Sequence, residues 1–399
     1  IALQIMPVPM MLAHDIWRDL SETIGTERAL MSVHPGRTFE ALPRAMIPGV
    51  AFITALWLAP TDGAAWRLWQ MLALLGLAGL TLGIWLEIRF PDAILFSDYP
   101  VSRGNFSGFF VNRNVAAAYF ILVAFALSGV IAFALAGKSR HGMRTPERDK
   151  LKMGVTVVAL FLVFVTVIVT GSRAGTLFGL ASLALAIGSA AALSRRGWRG
   201  RDSGTPRPGR MLAMIAGATI AAMAILVVFG EPVLSRLEDT DESIRRCAWA
   251  AAPKLIAERP FTGAGLGTFR DVFPPIRDPE CFGTTNRLLR AHNSFLELYV
   301  GLGLPAAALM AYMVIESLRL AAMGLRNRRR LRSIPILLLG LSLYLALHAL
   351  VDSPAQYPGV AAYAAALWGS GAAVCLRAPE RRRRRHQEKD LAVDGPHHG

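Results

Sequence analysis

Acidic side chains are scarce in this chain: 28 Asp and Glu stand against 43 Lys and Arg, and charged residues of both signs make up only 18% of its 399 residues. So low a charge content is unusual for a soluble domain. Cysteine is scarcer still, with three residues, and no Cys/His spacing of the zinc type is present. A serine-nucleophile motif is also missing. The glycine-rich stretch Gly263-Ala264-Gly265-Leu266-Gly267 lacks the G-x-G-x-x-G spacing and the preceding strand of a nucleotide cradle, so it reads as a tight turn. The arginine runs have no interleaved aromatics, which argues against nucleic acid as a partner and leaves anionic lipid headgroups.

What the chain does have is apolar residues, 53% of the total, and a positive mean hydropathy. A membrane-crossing helix needs about 20 apolar residues. Nine candidate spans can be marked, at 45–60, 66–86, 115–136, 153–170, 174–193, 211–230, 295–317, 334–351 and 359–376. The expected fold is therefore an all-α polytopic membrane protein of about nine transmembrane helices.

Segments 138–152, 194–210, 317–333 and 377–399 hold 25 of the 43 bases against seven acids, whereas the polar stretch from Gly230 to Ala291 holds nine bases and nine acids. By the positive-inside rule the four basic segments are cytoplasmic and the long loop is external. All four agree on parity when threaded through the spans. Residues 1–42 read as an external segment, which implies further spans upstream. The expected order is then spans one to six over 43–230, an external loop over 231–291, spans seven to nine over 292–376, and a basic tail over 377–399.

Within that loop the apolar residues Ile244, Cys247, Ala248, Ala251 and Leu255 recur at helical spacing, predicting a helix over 243–258. Residues 87–114 mix aromatics, glycine and charge, as an interfacial or re-entrant loop does. Cys247 and Cys281 share the external loop, where an oxidising compartment permits a disulfide; two separate thiols are the alternative. Cys375 lies at the inner end of the last span.

The candidates for chemistry gather on the external side. Arg173 sits in a turn too short to leave the membrane rim, and reads either as a snorkelling anchor or as a functional charge held at a costly depth. Arg245 and Arg246 are solvated charges, lipid contacts or a pair shaped for bidentate phosphate binding. His292 precedes the seventh span. Ser294 and Glu297 form an S-x-x-E capping box there, which leaves the imidazole unexplained and free to take a proton from a sugar hydroxyl. His348 and Asp352, one helical turn apart, face each other or one cavity. Glu238-Asp239-Thr240-Asp241-Glu242 offers a divalent-ion reading, set against the commoner solvated acidic run.

These pieces, in this order, resemble the O-antigen ligase and polymerase superfamily of membrane glycosyltransferases. Ser32-Val33-His34-Pro35-Gly36-Arg37-Thr38 and Gly108-Phe109-Phe110-Val111-Asn112-Arg113-Asn114 look like the segments that lead into spans in that family. Gly171-Ser172-Arg173-Ala174-Gly175 with Leu177 fits its R-x3-L element, Arg245 with Trp249 and Pro260 fits its large loop, and His292 to Gly303 fits its H-x10-G element.

The resemblance implies an inverting, metal-independent transfer of glycan from an undecaprenyl-diphosphate carrier to a lipid or glycan acceptor, with no cofactor, at the periplasmic face of the inner membrane. It implies that Arg173 and Arg245 hold the diphosphate and that His292 activates the acceptor; Arg113, Arg246 and His348 are the expected further substrate contacts. Within the same chemistry, repeat-unit polymerisation and glycan transfer to protein are the alternatives. From another class the alternative is a transporter or lipid flippase, which would carry broken helices and charges near mid-membrane.

Overall fold

The computed structural model describes residues 1–27, 29–90, 106–137, 146–196, 241–282 and 290–377, and among them it is all-α, with no strand. The helices are α1 (Asp15–Ile24), α2 (Pro35–Leu58), α3 (Asp62–Arg89), α4 (Arg113–Gly137), α5 (Pro146–Val169), a π-helical turn (Gly175–Gly179) running into α6 (Leu180–Arg196), and α7 (Asp241–Glu258). They continue with α8 (Phe269–Ile276), α9 (Ser294–Leu302), α10 (Leu304–Asn327), α11 (Ser333–Ala349) and α12 (Pro358–Leu376).

Among the described residues α2, α3, α4, α5, α10 and α12 are long and apolar enough to cross a membrane, and α6 and α11 are shorter apolar helices. The protein is a multi-pass membrane protein. Eight of the nine expected spans thus fall on helices; the ninth, 211–230, lies outside the described residues, as do the 138–145 and 378–399 basic stretches.

The sequence of α4 explains its place. It is apolar all round, with no charge between Asn114 and Gly137, and such a helix belongs in the interior of a bundle. Val115 through Leu127 are buried without a break, enclosed by α3, α5, α11 and α12. Small residues set the approach distances, as in other helix pairs within lipid: a Cβ on Gly129 would run into the Trp69 ring, and one on Gly369 into the Phe52 carbonyl. The outer helices show the opposite pattern. Trp57 on α2, Leu74 on α3, Phe161 on α5 and Ile315 on α10 are all exposed, a belt that water would penalise and acyl chains would not.

Two boundaries differ from the hydropathy reading. The first span begins at Pro35 rather than 45, with the His34 ring accepting from the Arg37 amide and proline at the first helical position. The early turns are polar, and Pro43 and Pro48 resemble breakers, yet α2 continues through both. The seventh span is two helices: Gly303, at φ +64, separates α9 from α10.

The two ends of the bundle differ in chemistry. At one end Asp62, at the start of α3, receives the guanidinium groups of Arg328 and Arg377 from the ends of α10 and α12. Against the other end sits a small second core of Ala248, Ala251, Leu255, Phe269, Phe273, Ala291 and Val300, built from α7, α8 and α9. The N-terminal segment joins it. The buried Gln4 side chain donates to the Thr262 and Gly301 carbonyls and accepts from the Leu266 amide. The glycine-rich stretch is the expected tight turn, its Gly263, Gly265 and Gly267 all at positive φ.

Candidate functional site

The site end is assembled by a chain of contacts that begins at Arg173. Gly171 (φ +65) ends α5, and the Ser172 hydroxyl accepts from the Gly175 amide, so Arg173 stands at the first turn of a new helix. That turn is π-helical, a geometry that recurs at functional sites. Gly175 permits contact with Ala117, where a Cβ would collide, and Gly179 does the same at Ile121. Arg173 is exposed and the half-buried Arg113 lies one turn from Ala117, at the start of α4.

Asn114, beside Arg113, donates through Nδ2 to Asp352 Oδ2 at 2.6 Å. The other Asp352 oxygen accepts from the Ser353 amide at 2.8 Å and faces His292 Nδ1 at 3.3 Å. Burial by itself would raise the Asp352 carboxyl. The hydrogen bond and charge of His292, the Ser353 amide and the charge of His348 outweigh it and bring the carboxyl down to about 2. An ionised carboxylate can only accept, so His292 Nδ1 is the donor of this pair.

His292 is the only non-glycine residue at positive φ among the described residues, at +50. That conformation costs about 1 kcal/mol or more and persists only where neighbours enforce it. The neighbours are plain. The Ala291 amide donates to Glu297 Oε2 at 3.1 Å and the Ala291 carbonyl accepts from Trp249 Nε1 at 3.0 Å. On the other side Asn293 caps α9 through the amides of Phe295 and Leu296, and the Ser294 hydroxyl donates to the Asp352 carbonyl.

Two expectations are corrected here. Ser294 is not the cap of a capping box: it is the first helical residue with its hydroxyl engaged by the Asp352 carbonyl, and Asn293 takes the capping role because its Oδ1 reaches the Phe295 and Leu296 amides. His348 does not pair with Asp352. It is fully buried, its Nδ1 is shared with the Tyr344 hydroxyl at 2.8 Å, and Asp352 has turned past the end of α11 toward His292.

Arg245 lies on α7 one turn before Trp249, so the Trp249 bond ties its helix to the residue before His292. Cys247, between them, forms a disulfide with Cys281, closing the question the sequence left open. Arg246 is exposed. Arg113, Arg173, Arg245, His292 and His348 are thus linked to one end of the bundle through Ala117, Asn114, Asp352 and Trp249. The Glu238 to Thr240 part of the acidic run lies outside the described residues. Sequence reading missed Asp352 as the partner of His292 and Asn114 as a further partner of Asp352; nothing in local spacing connects positions so far apart in the chain.

Compared with known families, residues 158–311 match the family model described as O-Antigen ligase, a stretch that includes Arg173, Arg245 and His292 and stops short of His348 and Asp352. No curated protein matches the chain.

Proposed function

We propose, from the match of residues 158–311 to the family model described as O-Antigen ligase, that the chain is a membrane glycosyltransferase that transfers a polysaccharide from undecaprenyl diphosphate to an acceptor hydroxyl at the periplasmic face of the inner membrane. The observation that supports this reading is the His292–Asp352 pair, joined through Asn114 to the start of α4 beside Arg113, through the Gly175–Ala117 approach to the turn of Arg173, and through Trp249 to the helix of Arg245.

In this reading His292 Nε2 takes the proton of the acceptor hydroxyl as its oxygen attacks the anomeric carbon. The bond from that carbon to the diphosphate breaks on the opposite face, and its electron pair leaves with the diphosphate oxygen. The sugar configuration inverts. Arg173 and Arg245 balance the charge that grows on the leaving group, so they favour the transition state over the ground state. Arg113, at a helix N-terminus, adds to the same field. The exposed Arg246 completes the substrate contacts, whereas His348, fully buried against Tyr344, supports the site from within the bundle; no metal takes part. The donor is lipid-linked, which suits a site at the rim of a bundle.

Arg173→Ala, Arg245→Ala and His292→Ala are expected to abolish polymer transfer in membranes while the lipid-linked donor accumulates. Full transfer by all three variants would sink the proposal. Glycolipids extracted from a deletion strain separate the two closest alternatives, since finished polymers on the carrier indicate a ligase and single repeats a polymerase. Donor trapped on the inner leaflet would instead mark a flippase.

A further inference from the structure

His292 holds a left-handed backbone without being glycine, and the peptide before it is gripped from both sides: Glu297 accepts from the Ala291 amide and Trp249 donates to the Ala291 carbonyl. Ala291 itself is fully buried and offers no side chain to anchor the turn. The indole that grips it belongs to α7, one turn beyond Arg245, and the Cys247–Cys281 bridge pins that same helix two residues before Trp249. One hydrogen bond therefore joins the helix of the leaving-group arginine to the turn of the base.

We propose that Trp249 is a positioning residue that, with Glu297, clamps Ala291 and so fixes the direction of the His292 imidazole relative to Arg245. This rests on the reading of His292 as the base. The clamp works through geometry alone. With Ala291 held at both its amide and its carbonyl, the His292 backbone cannot relax to negative φ, and the ring stays over Asp352 with Nε2 pointing to the acceptor. An error on the order of 1 Å in such a group costs about 100-fold in rate.

The test uses the full-length protein in liposomes, with undecaprenyl-diphosphate-linked glycan and acceptor glycolipid extracted from a deletion strain, and follows release of undecaprenyl diphosphate. Trp249→Phe keeps the ring packing and removes only the N–H. It is expected to lower kcat by about 10- to 100-fold, with donor KM within about 2-fold and the melting temperature unchanged. An unchanged kcat overturns the clamp, as does a loss confined to KM. Should Trp249→Phe lower the melting temperature, the other jaw decides: Glu297→Gln, which keeps an oxygen for the Ala291 amide, should stay active where Glu297→Ala does not, and equal rates for the two overturn the proposal. His292→Ala run alongside separates the failures. An active His292→Ala defeats the assignment of the base, whereas an inactive one beside a fully active Trp249→Phe defeats only the clamp.

Discussion

At the scale of single residues, Asp352, which the sequence offered only as a neighbour of His348, draws the site together. Its carboxylate accepts from Asn114, the Ser353 amide and His292, and its carbonyl accepts from Ser294. Asp352→Asn keeps the volume but puts an amide where the imidazole needs an acceptor, which upsets the tautomer. Transfer is expected to fall by about 100-fold or more, with donor binding retained; an assay of undecaprenyl diphosphate release checks it. The same carboxyl makes stability depend on pH. Its folded pKa of about 2 lies below the ordinary 3.8, so the unfolded chain takes up its proton first as pH falls. The contribution, about 2 kcal/mol, is fully present above pH 4 and is lost as pH drops toward 2. Resistance to unfolding in detergent should therefore weaken as pH falls through that window in the native protein, and less so in Asp352→Asn.

At the scale of elements, α7 was legible and its attachments were not. The helical spacing from Cys247 to Leu255 marks it in the sequence, and α7 indeed runs through that segment. The Cys247–Cys281 bridge spans 34 residues, and closing a loop of that length stabilises by roughly 3–4 kcal/mol in the chain-entropy view. A Cys247→Ser/Cys281→Ser double variant is expected to melt earlier by a corresponding amount and to lose transfer as Arg245 loosens. Native mass that does not shift on reduction would contradict the bridge. The splitting of the seventh span follows from Gly303: a Cβ there would strike the Phe261 carbonyl and the Gly263 amide, so the break is a packing junction between α9 and the glycine-rich turn. Hydropathy sees Gly303 only as one small residue in an apolar run.

At the scale of the whole molecule, the opposed ends carry the orientation. Asp62 with Arg328 and Arg377 marks one end, and His292 with its neighbours the other. If the basic end is cytoplasmic, a cysteine at the exposed Phe261 should react with an impermeant thiol reagent in intact spheroplasts, and one at Arg329 only after lysis. The reverse pattern would invert the protein and remove the site from the periplasm. Composition and charge asymmetry by themselves determined that this is a bundle of membrane helices with chemistry to seek at one rim, because burial in lipid and charge placement act on whole segments and leave their trace in runs of adjacent residues. Local context and the family resemblance marked Arg173, Arg245 and His292 as candidates. Only the tertiary structure decided that His292 leans on Asp352 rather than leaving that carboxylate to His348, that Trp249 reaches Ala291, and that Cys247 meets Cys281. Those pairings depend on how helices distant in the chain are packed, and no local pattern of residues records the direction in which a side chain will point once they are.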